Sequence, residues 1–192
     1  MFSSQSIEND LILIIYSDTR TVFRLRDVAM LSGETNFISL SKKLIYYVHA
    51  GKLQNPRKGV YAKPGYNTQE LACILHTPSY LSLEFVLQRA GVVFQYDSGI
   101  TALSYLSRTV EVDKQEYRYR KIKGEILVNT EGIIRQENHV NIASPERAFL
   151  DLLYLNGETT FDNLNPLDKR LVRRLVSLYQ SKILKDRVTK MM

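Results

Sequence analysis

One cysteine, Cys73, is the whole thiol complement of this 192-residue chain. No internal disulfide can form, which fits a reducing, cytoplasmic setting. The neighbours Leu71, Ala72, Ile74 and Leu75 mark the thiol as a small buried hydrophobe rather than a nucleophile. Histidine is equally sparse. His49, His76 and His139 stand far apart, with no spacing that would hold zinc, so no metal or cofactor is expected. Long apolar runs are missing too. Residues 11–16 fall well short of the roughly 20 needed to span a bilayer, and they lack the flanks of a signal peptide. No membrane partner is expected.

Catalytic signatures are absent in the same way. The chain has no Gly-x-Gly-x-x-Gly and no P-loop. It has no Asp-x-Asp or Gly-Ser pair of the kind that holds metal in nucleotidyltransferases. No acid stands two residues before a lysine, as the commonest nuclease core requires. Glu8 with Asp10, and Glu111 with Asp113, pair carboxylates without further ligands around them. His139 near Ser144 has an arbitrary spacing for a hydrolase. The reading is therefore non-enzymatic.

The most telling gap is in charge. Between Thr35 and Gln69 there is no acid, while Lys42, Lys43, Lys52, Arg57, Lys58 and Lys63 are all basic and together equal the net charge of +6. A local run of positive charge is the sequence footprint of a polyanion-binding surface.

Periodicity and turn residues organise the chain around that run. Apolar spacing predicts a helix over 6–17, a short extended segment over 21–25, a helix over 26–31 ending at Ser32-Gly33, and a third helix over 36–50. Phe37, Leu40, Leu44, Tyr47 and Val48 form the inner side of the third helix, and Gly51 stops it. A hairpin follows, returning through Val60, Tyr61 and Ala62. Helices are predicted over 69–75 and 82–90. Strands are predicted over 100–106, 109–112 and 116–122, with a turn at 113–115, and shorter ones over 126–128, 133–134 and 140–142. Ser144-Pro145-Glu146 opens a helix that runs to Leu155, and a last helix covers 166–185. The fold class is α+β, with a winged helix-turn-helix over 1–67 and a mixed α+β domain over 68–192.

Duplex DNA is the partner this order predicts. Ser39, Ser41, Lys42, Lys43 and Tyr46 occupy the predicted outer face of the third helix. Arg57, Lys58 and the backbone of Gly59 sit at a wing tip that the Asn55-Pro56 and Lys58-Gly59 turn pairs should make project. No Arg or Asn pair offers a bidentate base contact, so the helix declares no operator. Two further basic surfaces are candidates for partner binding. Lys169, Arg170, Arg173 and Arg174 share the outer side of the last helix, opposite Leu167, Leu171, Leu175, Leu178 and Tyr179. Along 117–121, Arg118 and Arg120 face away from Tyr117 and Tyr119, whose rings either stack on single-stranded nucleic acid or pack under helices.

Several stretches carry a family resemblance. Gly51-Lys-Leu53, Arg57-Lys-Gly-Val-Tyr-Ala-Lys-Pro64, Pro78-Ser-Tyr-Leu-Ser-Leu-Glu84, Ala90-Gly-Val92 and Tyr117-Arg-Tyr-Arg120 are among them. The most specific is Ile142-Ala-Ser-Pro-Glu-Arg-Ala-Phe-Leu-Asp-Leu-Leu-Tyr154. Together they resemble the AbiEi-type antitoxins, also described as transcriptional regulators of viral defence systems. The resemblance implies an N-terminal winged helix that represses its own promoter. It also implies an antitoxin-like C-terminal domain that opposes a nucleotidyltransferase toxin encoded alongside, with or without direct contact. The alternatives are a stand-alone regulator, or a protein–protein adaptor that uses the basic C-terminal helix.

Overall fold

A computed structural model describes residues 4–192, with side chains from residue 11 onward. Ile7, Glu8 and Asp10 therefore lie outside the described side chains. The chain is mixed α+β and divides into two compact units. The first runs through Ile74 and takes in Glu137–His139; the second comprises Leu75–Gln136 and Val140–Met192. No helix among the described residues is long and apolar enough to cross a membrane.

The first unit begins with α1 (Ser4–Ser17), β1 (Val22–Arg24), α2 (Leu25–Ser32) and α3 (Phe37–His49). The hairpin β2 (Gln54–Arg57) and β3 (Val60–Ala62) follows, then α4 (Thr68–Leu75). The strands form one antiparallel sheet in the order β1-β3-β2. Leu11 and Ile15 of α1, Phe23, Val28 and Ala29, and Leu40, Leu44 and Tyr47 of α3 meet Leu53 and Tyr61 in one core. Each fully buried aliphatic side chain there contributes about 1.5–3 kcal/mol. Phe37 was expected in this core but is half exposed, because the first turn of α3 overhangs its edge.

The expected boundary at 67 falls one helix too early. Glu70 of α4 is buried and accepts from the backbone of Thr21 (2.5 Å) and Val22 (3.0 Å) and from Asn138 Nδ2 (3.0 Å). The Arg24 guanidinium donates to the Ile74 carbonyl at 2.6 Å. These polar ties draw α4 into the first unit, and a hydrophobicity pattern does not register them. Cys73 on α4 is part-exposed rather than buried.

The second unit is built on a six-stranded mixed sheet. Its strands are β4 (Ser79–Leu81), β5 (Ile100–Ser104), β6 (Arg108–Val112), β7 (Gln115–Lys121), β8 (Ile133–Arg135) and β9 (Asn141–Ala143), in the order β6-β7-β5-β4-β9-β8. The β6–β7 turn holds Asp113 and Lys114, both with positive φ, between the paired residues Val112 and Gln115. That is the two-residue turn whose twist suits a hairpin. Helices α5 (Glu84–Arg89), α6 (Gly124–Val128), α7 (Pro145–Asn156), α8 (Lys169–Leu175) and α9 (Lys182–Met191) complete the unit, with a 3₁₀ turn at Val176–Tyr179.

Two expectations for this unit are corrected. Residues 126–128 belong to α6, not to a strand. The Ile126 carbonyl accepts from Arg147 Nη2 at 2.8 Å, so a tertiary contact holds a stretch that β-branched residues alone would extend. The single last helix is two helices, broken where Gln180 turns left-handed and Ser181 caps α9 by accepting from Leu184 N at 3.2 Å. Within α8 Val172 and Leu175 are the buried residues, and Leu171 is half-buried rather than part of the inner stripe.

A closed polar cluster lies inside this unit. Ser144 caps α7 by accepting from Arg147 N at 3.2 Å, which seats Arg147 and Asp151 one turn apart facing the sheet. Asp151 accepts from Tyr179 (2.6 Å), Ser82 (2.7 Å) and Tyr80 (3.1 Å). Arg147 lies 3.4 Å from Asp151 and donates to the carbonyls of Glu131 (2.9 Å) and Ile126. Burial pushes the Asp151 carboxyl up, against the opposing pull of Arg147 and the three hydroxyls. Burial likewise pushes the Tyr80 and Tyr179 hydroxyls up, so both stay protonated donors.

Candidate nucleic-acid interface

The turn from α2 to α3 is set by its own side chains. Gly33 adopts a left-handed conformation (φ 69°) that ends α2. Asn36 caps α3, its Oδ1 accepting from Ser39 N at 3.0 Å. Between them Glu34 accepts from Asn36 N at 3.0 Å and pairs with Lys43 at 3.6 Å. The backbone bond to Asn36, then Lys43, holds the Glu34 carboxyl below its ordinary value.

With Leu40, Leu44 and Tyr47 turned inward, the opposite side of α3 can be read off at i, i+4, i+7 and i+11. It carries Ile38, Lys42, Ile45 and His49, with Tyr46 beside them, and all five are exposed. This departs from the expected face. Lys42 and Tyr46 stand outward as predicted. Ser39, Ser41 and Lys43 are half-buried flanks instead. The Ser41 hydroxyl lies 3.4 Å from the Tyr61 hydroxyl, and Lys43 leans toward Glu34. The signal for the missed residues was present: Ile38 and Ile45 lie seven apart, opposite the Leu40–Leu44 stripe.

The hairpin is tighter than expected. Pairing of Gln54 with Ala62 and of Arg57 with Val60 leaves one extra residue in β2, a bulge that accommodates Pro56. Asn55 Nδ2 clamps the turn by donating to the carbonyls of Arg57 (2.9 Å) and Val60 (2.6 Å). The turn residues Lys58 and Gly59 do not project freely, because the Gly59 carbonyl accepts from Leu25 N, the first residue of α2, at 3.1 Å. Lys58 is exposed and Arg57 half-buried. Of the remaining cations in the acid-free run, Lys52 is exposed. Lys63 is spent on structure, donating to the carbonyls of Asp18 (2.6 Å) and Tyr16 (3.3 Å).

In the second unit Tyr117 and Tyr119 are buried, so no tyrosine stacking platform exists on β7. Arg118 is committed to Asp97 and also reaches Glu116 at 3.8 Å. Its guanidinium lies against Gly99, so a side chain there would have to displace it. Arg120 is half-buried and donates to Asn156 Oδ1 at 2.7 Å. On α8, Lys169, Arg170, Arg173 and Arg174 are all exposed, as expected, with Arg174 3.3 Å from Glu131. The charge outside the 35–69 run balances only in sum. From Asp168 to Met192 there are eight basic residues against two acids.

The Arg118–Asp97 pair has a pH signature. Arg118 holds the Asp97 carboxyl below its ordinary value, chiefly by hydrogen bonding. A carboxyl depressed by folding adds stability that is fully present above its unfolded pKa of about 4 and is lost as pH falls through the folded value. Asp97→Asn is therefore expected to flatten the acid side of the second unit's melting profile below about pH 4, where the wild-type carboxylate begins to protonate. An acid limb unchanged by the substitution would show that this half-buried pair contributes nothing.

No protein-family model matches this chain, and no curated protein matches it. Among solved structures it is similar to the crystal structure of RV2827C protein from Mycobacterium tuberculosis, with a TM-score of 0.55 at 12% identity. The match covers 97% of this chain and 76% of that one. At that identity the likeness speaks for a shared mixed α+β architecture and nothing more.

Proposed function

We propose that this chain is a DNA-binding transcriptional regulator whose first unit works as a winged helix-turn-helix. In this reading α3 enters the major groove and the β2–β3 turn is the wing. The observation that carries it is the set of exposed Lys42, Lys52 and Lys58 with half-buried Arg57, in a run that has no acid from Thr35 to Gln69. Lys42 and the wing cations bind phosphates, and Tyr46 flanks the groove. The resemblance at 51–64 and 142–154 extends the proposal. The chain represses its own promoter as the antitoxin of an abortive-infection pair, opposing a nucleotidyltransferase toxin through its second unit. No catalysis is assigned to it.

The test is a gel shift of purified protein on its own upstream duplex, with scrambled competitor, at two salt concentrations. Specific retardation that weakens steeply with salt is expected. Retardation indifferent to salt, or to the competitor's sequence, would refute the role given to α3 and the wing.

A second reading has its own support in the four exposed cations of α8, which suit an acidic protein partner of a non-DNA-binding adaptor. Protein that ignores duplex DNA even at low salt, yet binds an acidic partner lost on Arg170→Gln with Arg173→Gln, would favour it.

A further inference from the structure

The operator, unreadable from the residue types alone, becomes legible in the outward row of α3. Ile38 is 73% exposed, on the first turn after the Asn36 cap, and Ile45 is 47% exposed two turns later. Lys42 stands between them, with Tyr46 (59% exposed) at the side. Residues at the start of a recognition helix are the ones that reach base edges. Here that position holds a branched aliphatic side chain without a hydrogen-bonding group. In the major groove one feature alone is apolar, the C5-methyl of thymine. We propose that Ile38, seconded by Ile45, reads thymine methyl groups, so that this regulator selects A·T steps by apolar contact rather than by bidentate hydrogen bonds. The inference rests on the DNA-binding reading above.

Charge argues against covering this row with a second copy of the chain. A two-fold interface places the same patch on itself, which would bring the Lys42 ammonium of both copies together with no acid from Thr35 to Gln69 to offset them. A phosphate-lined groove supplies the missing negative charge and the methyl groups at once. The Asn36 cap and the Leu40–Leu44–Tyr47 packing hold the helix start rigid, as a contact that depends on fit requires.

The experiment amplifies one upstream fragment with either thymidine or deoxyuridine triphosphate. The two duplexes share phosphates and hydrogen-bonding groups and differ in the methyls. Wild-type protein is expected to bind the thymine duplex about fourfold more tightly for each methyl buried, following the transfer free energy of one such group. Ile38→Ala should abolish most of that preference, whereas Lys42→Gln should weaken both duplexes alike and keep the preference. Circular dichroism should be unchanged in both variants, since both side chains are exposed. Equal binding of the two duplexes by wild type would overturn the inference and leave the regulator reading standing. Failure to bind either would remove both. Self-association that depends on Ile38, without methyl preference, would reassign the row to a contact between copies.

Discussion

Asp151→Ala is expected to destabilise the second unit by about 3–5 kcal/mol, the range for removing one partner of a buried ion pair. The substitution leaves the fully buried Arg147 cation without its counter-charge. It also strips the acceptor from the hydroxyls of Tyr80, Ser82 and Tyr179, which come from β4, the segment after it and the 3₁₀ turn before α9. The damage would therefore spread from the sheet to the C-terminal helices. Replacing Arg147 and Asp151 together by Met and Leu is not expected to restore wild-type stability. The two backbone carbonyls served by Arg147 and the three hydroxyls served by Asp151 would remain unpaired, and each buried orphan costs about 1–3 kcal/mol. Denaturant unfolding followed by tyrosine fluorescence and by hydrogen exchange in β4 and α7 would read this. A single variant within about 1 kcal/mol of wild type, the net worth of an ordinary hydrogen bond, would show that the cluster is dispensable.

The second large effect is expected on the proposed DNA binding. Lys42→Gln, Arg57→Gln and Lys58→Gln together are expected to reduce the slope of log affinity against log salt by about 2.7, at roughly 0.9 per phosphate contact. Across a fourfold rise in salt, wild type would then lose roughly 40-fold more affinity than the triple variant. Lys43→Gln provides the internal contrast. Its ammonium is 3.6 Å from Glu34 on the flank of α3, so its loss should leave the slope nearly unchanged. Fluorescence anisotropy on one labelled duplex over a salt series distinguishes the two. A slope that falls as much for Lys43 as for Lys42 would contradict the orientation of α3 described above.

Much of the local structure was legible because short-range chemistry specifies it. Gly51, the Lys58-Gly59 turn, the turn at Asp113 and Lys114 and the Ser144-Pro145 start all lie where their side chains or backbone freedom require. Most of the misreadings come from partners supplied by other segments of the chain. Residues 126–128 were taken for a strand because β-branching is a local preference, whereas Arg147 captures the Ile126 carbonyl from another element. The last helix was drawn unbroken because Leu171, Leu175 and Leu178 keep helical spacing up to Gln180, where the chain turns left-handed. Lys43 and Ser41 were placed outward by composition, although Glu34 and Tyr61 draw them to the flanks.

By itself the sequence determined the α+β class, the acid-free cationic run, the Ser144 cap and the glycine stops at Gly33 and Gly51, since these depend on composition and near neighbours. Tertiary structure alone decided which cations remain exposed, because Lys43, Lys63 and Arg118 meet acceptors brought close by folding. It also decided that α4 belongs with the first unit, through the buried Glu70 carboxylate. Exposure of Ile38 and Ile45 followed from the same source. A helix has only one side to give to the core, and Leu40, Leu44 and Tyr47 had already taken it.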